Sequence, residues 1–328
     1  MGLNYFKEDK GAVLVIVAFA MVVLIGFTAF SIDVGGLFLL RRSLVTAADS
    51  AALAGAQVLA KKGSTHEEVR NETIRYAQLN GANLDTNNIK IIDTGGKRRV
   101  EVSVSQEYQH YFAGIFGLNS TEVPAQAVAA VGYPTGVKGN FLPIMLPKEA
   151  FDLAKNKGGN IEDHEVRLLN GDGEDNHFVH IDGTPVSGNW GVIRTGGTGS
   201  DVQRFYAAIR GESGSLELEI SGDGWYEEGT KPGNFPQIDK AVEDRLSKDN
   251  VPNYGVVPIV TEVEKAGGQT GVKIVGFTFY EFRNPGTEKN PPGHDVIGNL
   301  KTGEVFNISS WSENSQYDYG IYVIGLVE

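Results

Sequence analysis

The chain has 328 residues, 41% hydrophobic and 21% charged, a mixture that builds folded cores and excludes disorder throughout. It has no cysteine, which excludes disulfides, iron–sulfur clusters, thiolate zinc sites and a cysteine nucleophile. The whole net charge of −12 lies in residues 134–328, which hold 17 Lys+Arg against 29 Asp+Glu, and an acidic part of this kind argues against nucleic acid and anionic lipid as partners.

In chain order, Lys7 and Lys10 precede 22 uncharged residues, Gly11–Ile32, which as a helix reach about 33 Å and can cross a bilayer. A signal peptide is the competing reading, with Ala29-Phe30-Ser31 as its cleavage site. Prepilin processing after Gly11 is disfavoured, because Ile16 stands at the fifth mature position where type IV prepilins carry Glu. Lys7 and Lys10 on one flank and Arg41-Arg42 on the other leave the orientation nearly balanced by charge. Helical periodicity continues from Asp33 to Ala60, where Leu44, Ala48, Ala51, Gly55 and Val58 share one face. That small-residue seam lets another backbone approach closely, either the chain's own neighbouring sheet or a partner's helix. Gly35-Gly36 weakens the helix by about 1 kcal/mol per glycine and is a candidate hinge. Asp33 stands just past the apolar span, where burial in lipid is costly, so pairing at an interface or a salt link is expected.

Three runs, Lys10–Ala20, Phe30-Ser-Ile-Asp33-Val-Gly35 and Leu44–Ala56, the last containing Ala47-Ala48-Asp49-Ser50-Ala51-Ala52-Leu53-Ala54-Gly55-Ala56, resemble the N-terminal module of TadE/TadG-like proteins of Tad (Flp, tight-adherence) pilus systems. The likeness is specific over residues 10–60, holds by pattern to 133, and is weaker in the C-terminal part. It implies a non-enzymatic, single-pass cell-envelope protein of pilus assembly, with a cytoplasmic tail 1–10, a transmembrane helix 11–32 and the bulk of the chain outside. It implies other pilus-assembly or envelope proteins as partners, and lipid contact through Gly11 to Ile32. The candidate assembly interface is Asp33, Arg41, Arg42, Ala48, Asp49, Ala51 and Gly55. The Asp-x-Ser-x-Ser metal motif of the von Willebrand A domains found in some larger relatives does not occur here.

Beyond the long helix, Thr65 and Glu68 form a capping box for a helix that runs to Asn80-Gly81. Ile89–Ile92 and Val100–Val104 flank Thr94-Gly95-Gly96 as a hairpin, and a short aromatic helix (Tyr108–Phe116) and a strand (Glu122–Val131) complete a pilin-like module, 33–133. Turn formers from Gly132 to Gly136 mark a boundary. Residues 134–328 read as a mainly β extracytoplasmic domain, with strands at Phe141–Met145, Glu165–Leu169, Phe178–Ile181, Leu216–Ile220, Val256–Val263, Val272–Tyr280 and Tyr319–Leu326. Helices are expected at Asp201–Arg210 and Gln237–Lys248. The fold class is therefore α+β: a transmembrane helix continuing into a long helix on a small antiparallel sheet, then the β domain.

Chemistry is sparse. Asn170–Asn176 offers oxygen donors at Asp172, Glu174 and Asp175, weak candidates for a hard cation. An EF-hand counted from Asp172 fails, with His177 where Gly is needed and Gly183 where Glu is needed. His177 and His180 point to opposite faces of a strand. Thr195–Ser200 reads as a tight turn, and Gly211-Glu-Ser213-Gly-Ser215 lacks the final glycine of a nucleophile elbow. Neither a catalytic set nor a cofactor site is expected. The rival reading is a secreted, signal-peptide-cleaved hydrolase or glycan-binding protein, for which Trp190, Trp225 and Trp311 are the motive.

Overall fold

The structure is a computed structural model that describes residues 9–139, 141–169, 178–189, 191–193, 201–212, 217–220, 225–226, 230–231, 237–266, 269–283, 296–305 and 308–327. The chain divides into two compact units. One comprises Met1–Thr94, Arg98–Ala130 and Gly325–Glu328; the other comprises Gly95–Lys97 and Val131–Ile324.

The first unit is organised by α1 (Asp9–Ala60), one unbroken helix of 52 residues and thus about 78 Å long. Gly35 and Gly36, the candidate hinge, stay helical with no break in α1. Gly36 has a packing role instead: a Cβ there would collide with the Tyr108 phenol. The guanidinium of Arg98 donates to the Leu59 carbonyl in the last turn of α1, where the final carbonyls lack helical partners.

Next, α2 (His66–Leu79) starts at the expected capping box: the Thr65 hydroxyl accepts from Glu68 N at 3.2 Å, and the Glu68 carboxylate accepts from Thr65 N at 2.7 Å. Strands β1 (Ile89–Thr94), β2 (Lys97–Gln109) and β3 (Ser120–Lys138) follow, neighbours in that order. The turn between β1 and β2 places Gly95 and Gly96 at φ 63° and 76°, the paired left-handed geometry that a two-residue hairpin requires. The aromatic helix expected at Tyr108–Phe116 is a correction. Alternate burial of Val100, Val102 and Val104 carries β2 on to Gln109, and only Ala113–Phe116 coils, as one 3₁₀ turn. The turn formers Gly132–Gly136 remain extended within β3.

The elements of the second unit are β4 (Ile144–Pro147), α3 (Lys148–Asn156), β5 (Glu165–Leu169), β6 (Phe178–Ile181), β7 (Thr184–Asn189), β8 (Gly191–Ile193), α4 (Asp201–Ile209), β9 (Glu217–Glu219), β10 (Trp225–Tyr226) and β11 (Thr230–Lys231). They continue with α5 (Ile238–Leu246), β12 (Tyr254–Ala266), β13 (Gln269–Phe282), β14 (Val296–Lys301), β15 (Gly303–Glu304), β16 (Ile308–Ser312) and β17 (Ile321–Val327). A ten-stranded sheet runs in the order β11-β8-β4-β12-β13-β14-β5-β6-β7, with β10 beside β13. Its centre is the antiparallel β12–β13 pair, and β4 joins β12 in parallel. Period-two alternation buries both faces. Val257, Ile259, Tyr280 and Phe282 join one core with Phe151 of α3, Phe205 and Ile209 of α4, and Ile238 and Val242 of α5. Val256, Val260, Phe277 and Phe279 join another with Val137, Leu218 and Ile321.

The interior of this unit also holds a cation. Arg245 of α5 is fully buried, and its guanidinium donates to the carbonyls of Pro252 (2.8 Å), Ala208 (3.3 Å), Ile209 (2.9 Å) and Tyr254 (2.8 Å). Two of these carbonyls close the C-terminus of α4, where an incoming positive charge is favourable.

At the β6–β7 turn, Asp182 takes a left-handed φ of 48°. Its carboxylate accepts from Glu165 N at 2.8 Å and pairs with His164 Nδ1 at 2.7 Å, while His164 Nε2 lies 2.9 Å from the Gly158 carbonyl. The hydrogen bond to Asp182 and the Gly158 carbonyl raise the His164 pKa above its ordinary 6.5. Desolvation pushes Asp182 up, but its bonds to His164 and the Glu165 amide outweigh this and leave it below 3.8. The His164 contribution to stability is complete below pH 6.5 and is lost as pH rises through the raised value; the Asp182 contribution is complete above pH 3.8 and is lost as pH falls below it. This pair therefore stabilises the unit most between those limits, and thermal melts across pH should lose their alkaline-side slope in His164→Gln.

Candidate functional site

The site is α1 and what the first unit places against it. From Val13 to Ile32 the helix presents apolar side chains with nothing over them: Leu14, Val22 and Phe27 are among the exposed large hydrophobics. Among the described residues this is the one helix long and apolar enough to cross a membrane. The next residue reverses the pattern. Asp33 is 4% exposed, and its carboxylate accepts three backbone amides, from Tyr111 (2.8 Å), Phe112 (3.0 Å) and Ala113 (2.7 Å).

Asp33 is therefore bound by main-chain donors of its own chain, and the salt link anticipated for it reduces to buried His110, whose Nδ1 lies 3.9 Å away. Desolvation pushes the carboxyl up, but the three amides, helped by His110, hold it below its ordinary value of 3.8. Around it, Tyr108 stacks edge-on to His110 with centroids 5.2 Å apart, and His110 Nε2 meets Thr121 Oγ1 at 2.8 Å. The Tyr108 hydroxyl is buried with no hydrogen-bond partner, and desolvation raises its pKa.

Farther along α1, Arg41 and Arg42 are exposed and Asp49 is half-buried, whereas Leu44, Ala48, Ala51 and Gly55 are buried inside the first unit. The seam packs on the chain's own α2 and β2: a Cβ at Gly55 would collide with Thr73 Oγ1 and lie 3.1 Å from Val100 Cγ1. Of the two occupants open to the seam, the chain's own fold is the one observed. Thr73 already donates to Val69 O at 2.7 Å and has little room to yield. Gly55→Ala is therefore expected to destabilise the first unit by about 1–3 kcal/mol through overpacking. Loss of helical circular dichroism from full-length protein in detergent under urea is the check, and an unchanged midpoint would contradict the packing account.

The metal candidates Asp172, Glu174 and Asp175, with His177, lie outside the described residues, as do Thr195–Ser200, Ser213 and Trp190. Trp311 packs its ring against Gly132. Among the described residues no group of three or more His, Asp or Glu side chains is placed to hold a metal. The segment Tyr111–Leu118 escaped the sequence reading as a site. Its signal was available as an uncharged run of aromatic and aliphatic residues, Tyr-Phe-Ala-Gly-Ile-Phe-Gly-Leu, where a surface loop ordinarily carries polar side chains.

Residues 11–58 match the family model Tad, the Flp pilus-assembly TadE/G-like family. The match ends within the last turns of α1, so the family likeness and the long helix nearly coincide. No curated protein and no solved structure matches the chain.

Proposed function

We propose that this chain is a membrane-anchored, non-enzymatic component of a Tad/Flp-type pilus-assembly apparatus. Gly11–Ile32 is the anchor, the N-terminus is cytoplasmic, and the pilin-like module 33–133 and the acidic domain 134–328 are extracytoplasmic. The observation that carries this reading is the coincidence of the TadE/G-like match with a helix whose first half exposes an apolar surface and whose second half is packed into a folded unit. Partners act through what the fold leaves accessible. On α1 this is the side bearing Arg41, Arg42 and Val45, flanked by Asp49, while Ala48, Ala51 and Gly55 support the module from within.

The test is mass spectrometry of the native N-terminus in membrane and medium fractions, together with piliation of a deletion strain. An intact segment 11–32 in the membrane and loss of pili on deletion support the proposal. A soluble chain beginning near Ile32 overturns the anchor in favour of a secreted hydrolase or glycan-binding protein, and unchanged piliation overturns the assembly role.

A further inference from the structure

We propose that the loop Tyr111–Leu118 is a second membrane contact, seated in the outer interfacial layer of the bilayer that α1 crosses. This rests on the reading of Gly11–Ile32 as a transmembrane helix. The loop presents Tyr111, Ile115, Phe116 and Leu118 at 76%, 82%, 86% and 61% exposure, with no charge from Tyr111 to Leu118. A patch of this kind on a solvated surface calls for a covering partner.

Its depth follows from Asp33. Val13–Ile32 as a helix spans about 30 Å, the thickness of the hydrocarbon core. Asp33 is the next residue, and its three hydrogen bonds pin Tyr111, Phe112 and Ala113 at that level. The loop thus continues the lipid-facing surface at the point where the interfacial layer begins, the depth at which Tyr and other aromatic rings are favoured. The loop in turn covers Asp33, so the outer surface of α1 stays free of exposed charge through Phe38 and Leu39, themselves 69% and 71% exposed, up to Arg41 and Arg42. Asp33 to Arg41 is about 12 Å of helix, enough to cross the interfacial layer and bring the arginines to the headgroup phosphates.

The backbone is prepared for such a setting, where an unpaired amide is costly. Besides the three amides held by Asp33, His110 N donates to Asn119 O (2.9 Å), Ile115 N to Phe112 O (3.1 Å), Gly117 N to Gly114 O (3.0 Å) and Leu118 N to Ala113 O (3.2 Å).

Because the chain has no cysteine, single nitroxide labels report depth without background. Full-length Ile115→Cys, Phe116→Cys, Val22→Cys and Lys62→Cys proteins, spin-labelled and reconstituted in phosphatidylcholine vesicles, are compared for collision with oxygen and with a water-soluble nickel chelate. The expected result is an oxygen-dominated ratio at Val22, Ile115 and Phe116 and its inversion at exposed Lys62, with Asp33→Ala moving the Phe116 label towards nickel. Oxygen dominance at Val22 with nickel dominance at Ile115 and Phe116 overturns the loop contact, leaves the anchor standing and makes the loop a surface for a protein partner. Shielding of the loop labels from both reagents overturns it in favour of self-association. Nickel dominance at Val22 overturns the anchor and the loop contact together.

Discussion

Asp33→Asn is expected to raise the hydrogen-exchange rates of the Tyr111, Phe112 and Ala113 amides by roughly tenfold to a hundredfold, the worth of a charge-assisted hydrogen bond at each. Asparagine is nearly isosteric but offers a single neutral acceptor, and its NH₂ group faces three N–H donors that the carboxylate now satisfies. The released segment carries Tyr111, Ile115 and Phe116 on its outside, so limited proteolysis at these residues should rise in parallel. Acid does the same to the native protein. The Asp33 pKa is lowered, so the stabilisation is complete above pH 3.8 and is lost as pH falls through the depressed value. Exchange at the three amides that stays at the native level in Asp33→Asn would remove the carboxylate from its structural role.

Arg245→Met should cost the second unit about 3–5 kcal/mol, because it takes the charged donor away from several buried backbone carbonyls, each such loss costing about 1–3 kcal/mol where no other donor replaces it. Methionine fills much of the volume but donates to none of the carbonyls of Ala208, Ile209, Pro252 and Tyr254. The ends of α4 and of the turn leading into β12 lose their common tie. Burial pushes the guanidinium down to about 10, so it remains protonated at neutral pH. Arg245→Lys keeps a charge but not the planar fork and should recover only part of the loss. All three tryptophans follow residue 131 in the sequence, and the described ones, Trp225 and Trp311, belong to the second unit, which makes intrinsic fluorescence during urea unfolding the direct measurement. A midpoint within experimental scatter of the native one would sink the argument.

Elements with a long local signal were legible from the residues. The 3.6-residue spacing of Leu44, Ala48, Ala51 and Gly55 is an intrinsic property of α1, and the Thr65–Glu68 box sets the start of α2 through two short-range bonds. Strands β5 and β6 and helices α4 and α5 lie within two residues of expectation. What escaped depends on context. Helix α3 has only nine residues and buries Ala150, Phe151 and Ala154, too short a stripe to separate from a loop. Strand β14 contains Gly298, placed there because a Cβ would strike the Glu281 carbonyl and the Tyr280 ring, a neighbour revealed only by folding.

The same holds for the site. An aspartate beside an apolar span announces that its charge needs a partner, but backbone amides have no side-chain signature, so the residues that satisfy Asp33 could not be picked out. Arg245 stands seven residues after Ile238, on the inward stripe of α5 with Ala241 and Val242, but an arginine is ordinarily solvated and its carbonyl partners carry no side-chain signature. The direction in which the small-residue seam faces is likewise a tertiary property: the periodicity identifies the stripe, and α2 and β2 supply what covers it.

The contact at Asp33 also sets a clock. Its donors lie 78 to 80 residues later in the chain, which at ribosomal speeds of about 5–20 residues per second is a delay of roughly 4–16 s. Throughout that interval the carboxylate lacks the three amides that satisfy it in the folded unit. On the proposal that Gly11–Ile32 crosses the bilayer, the tie that fixes Asp33 at its level can form only after residues 111–113 have been made.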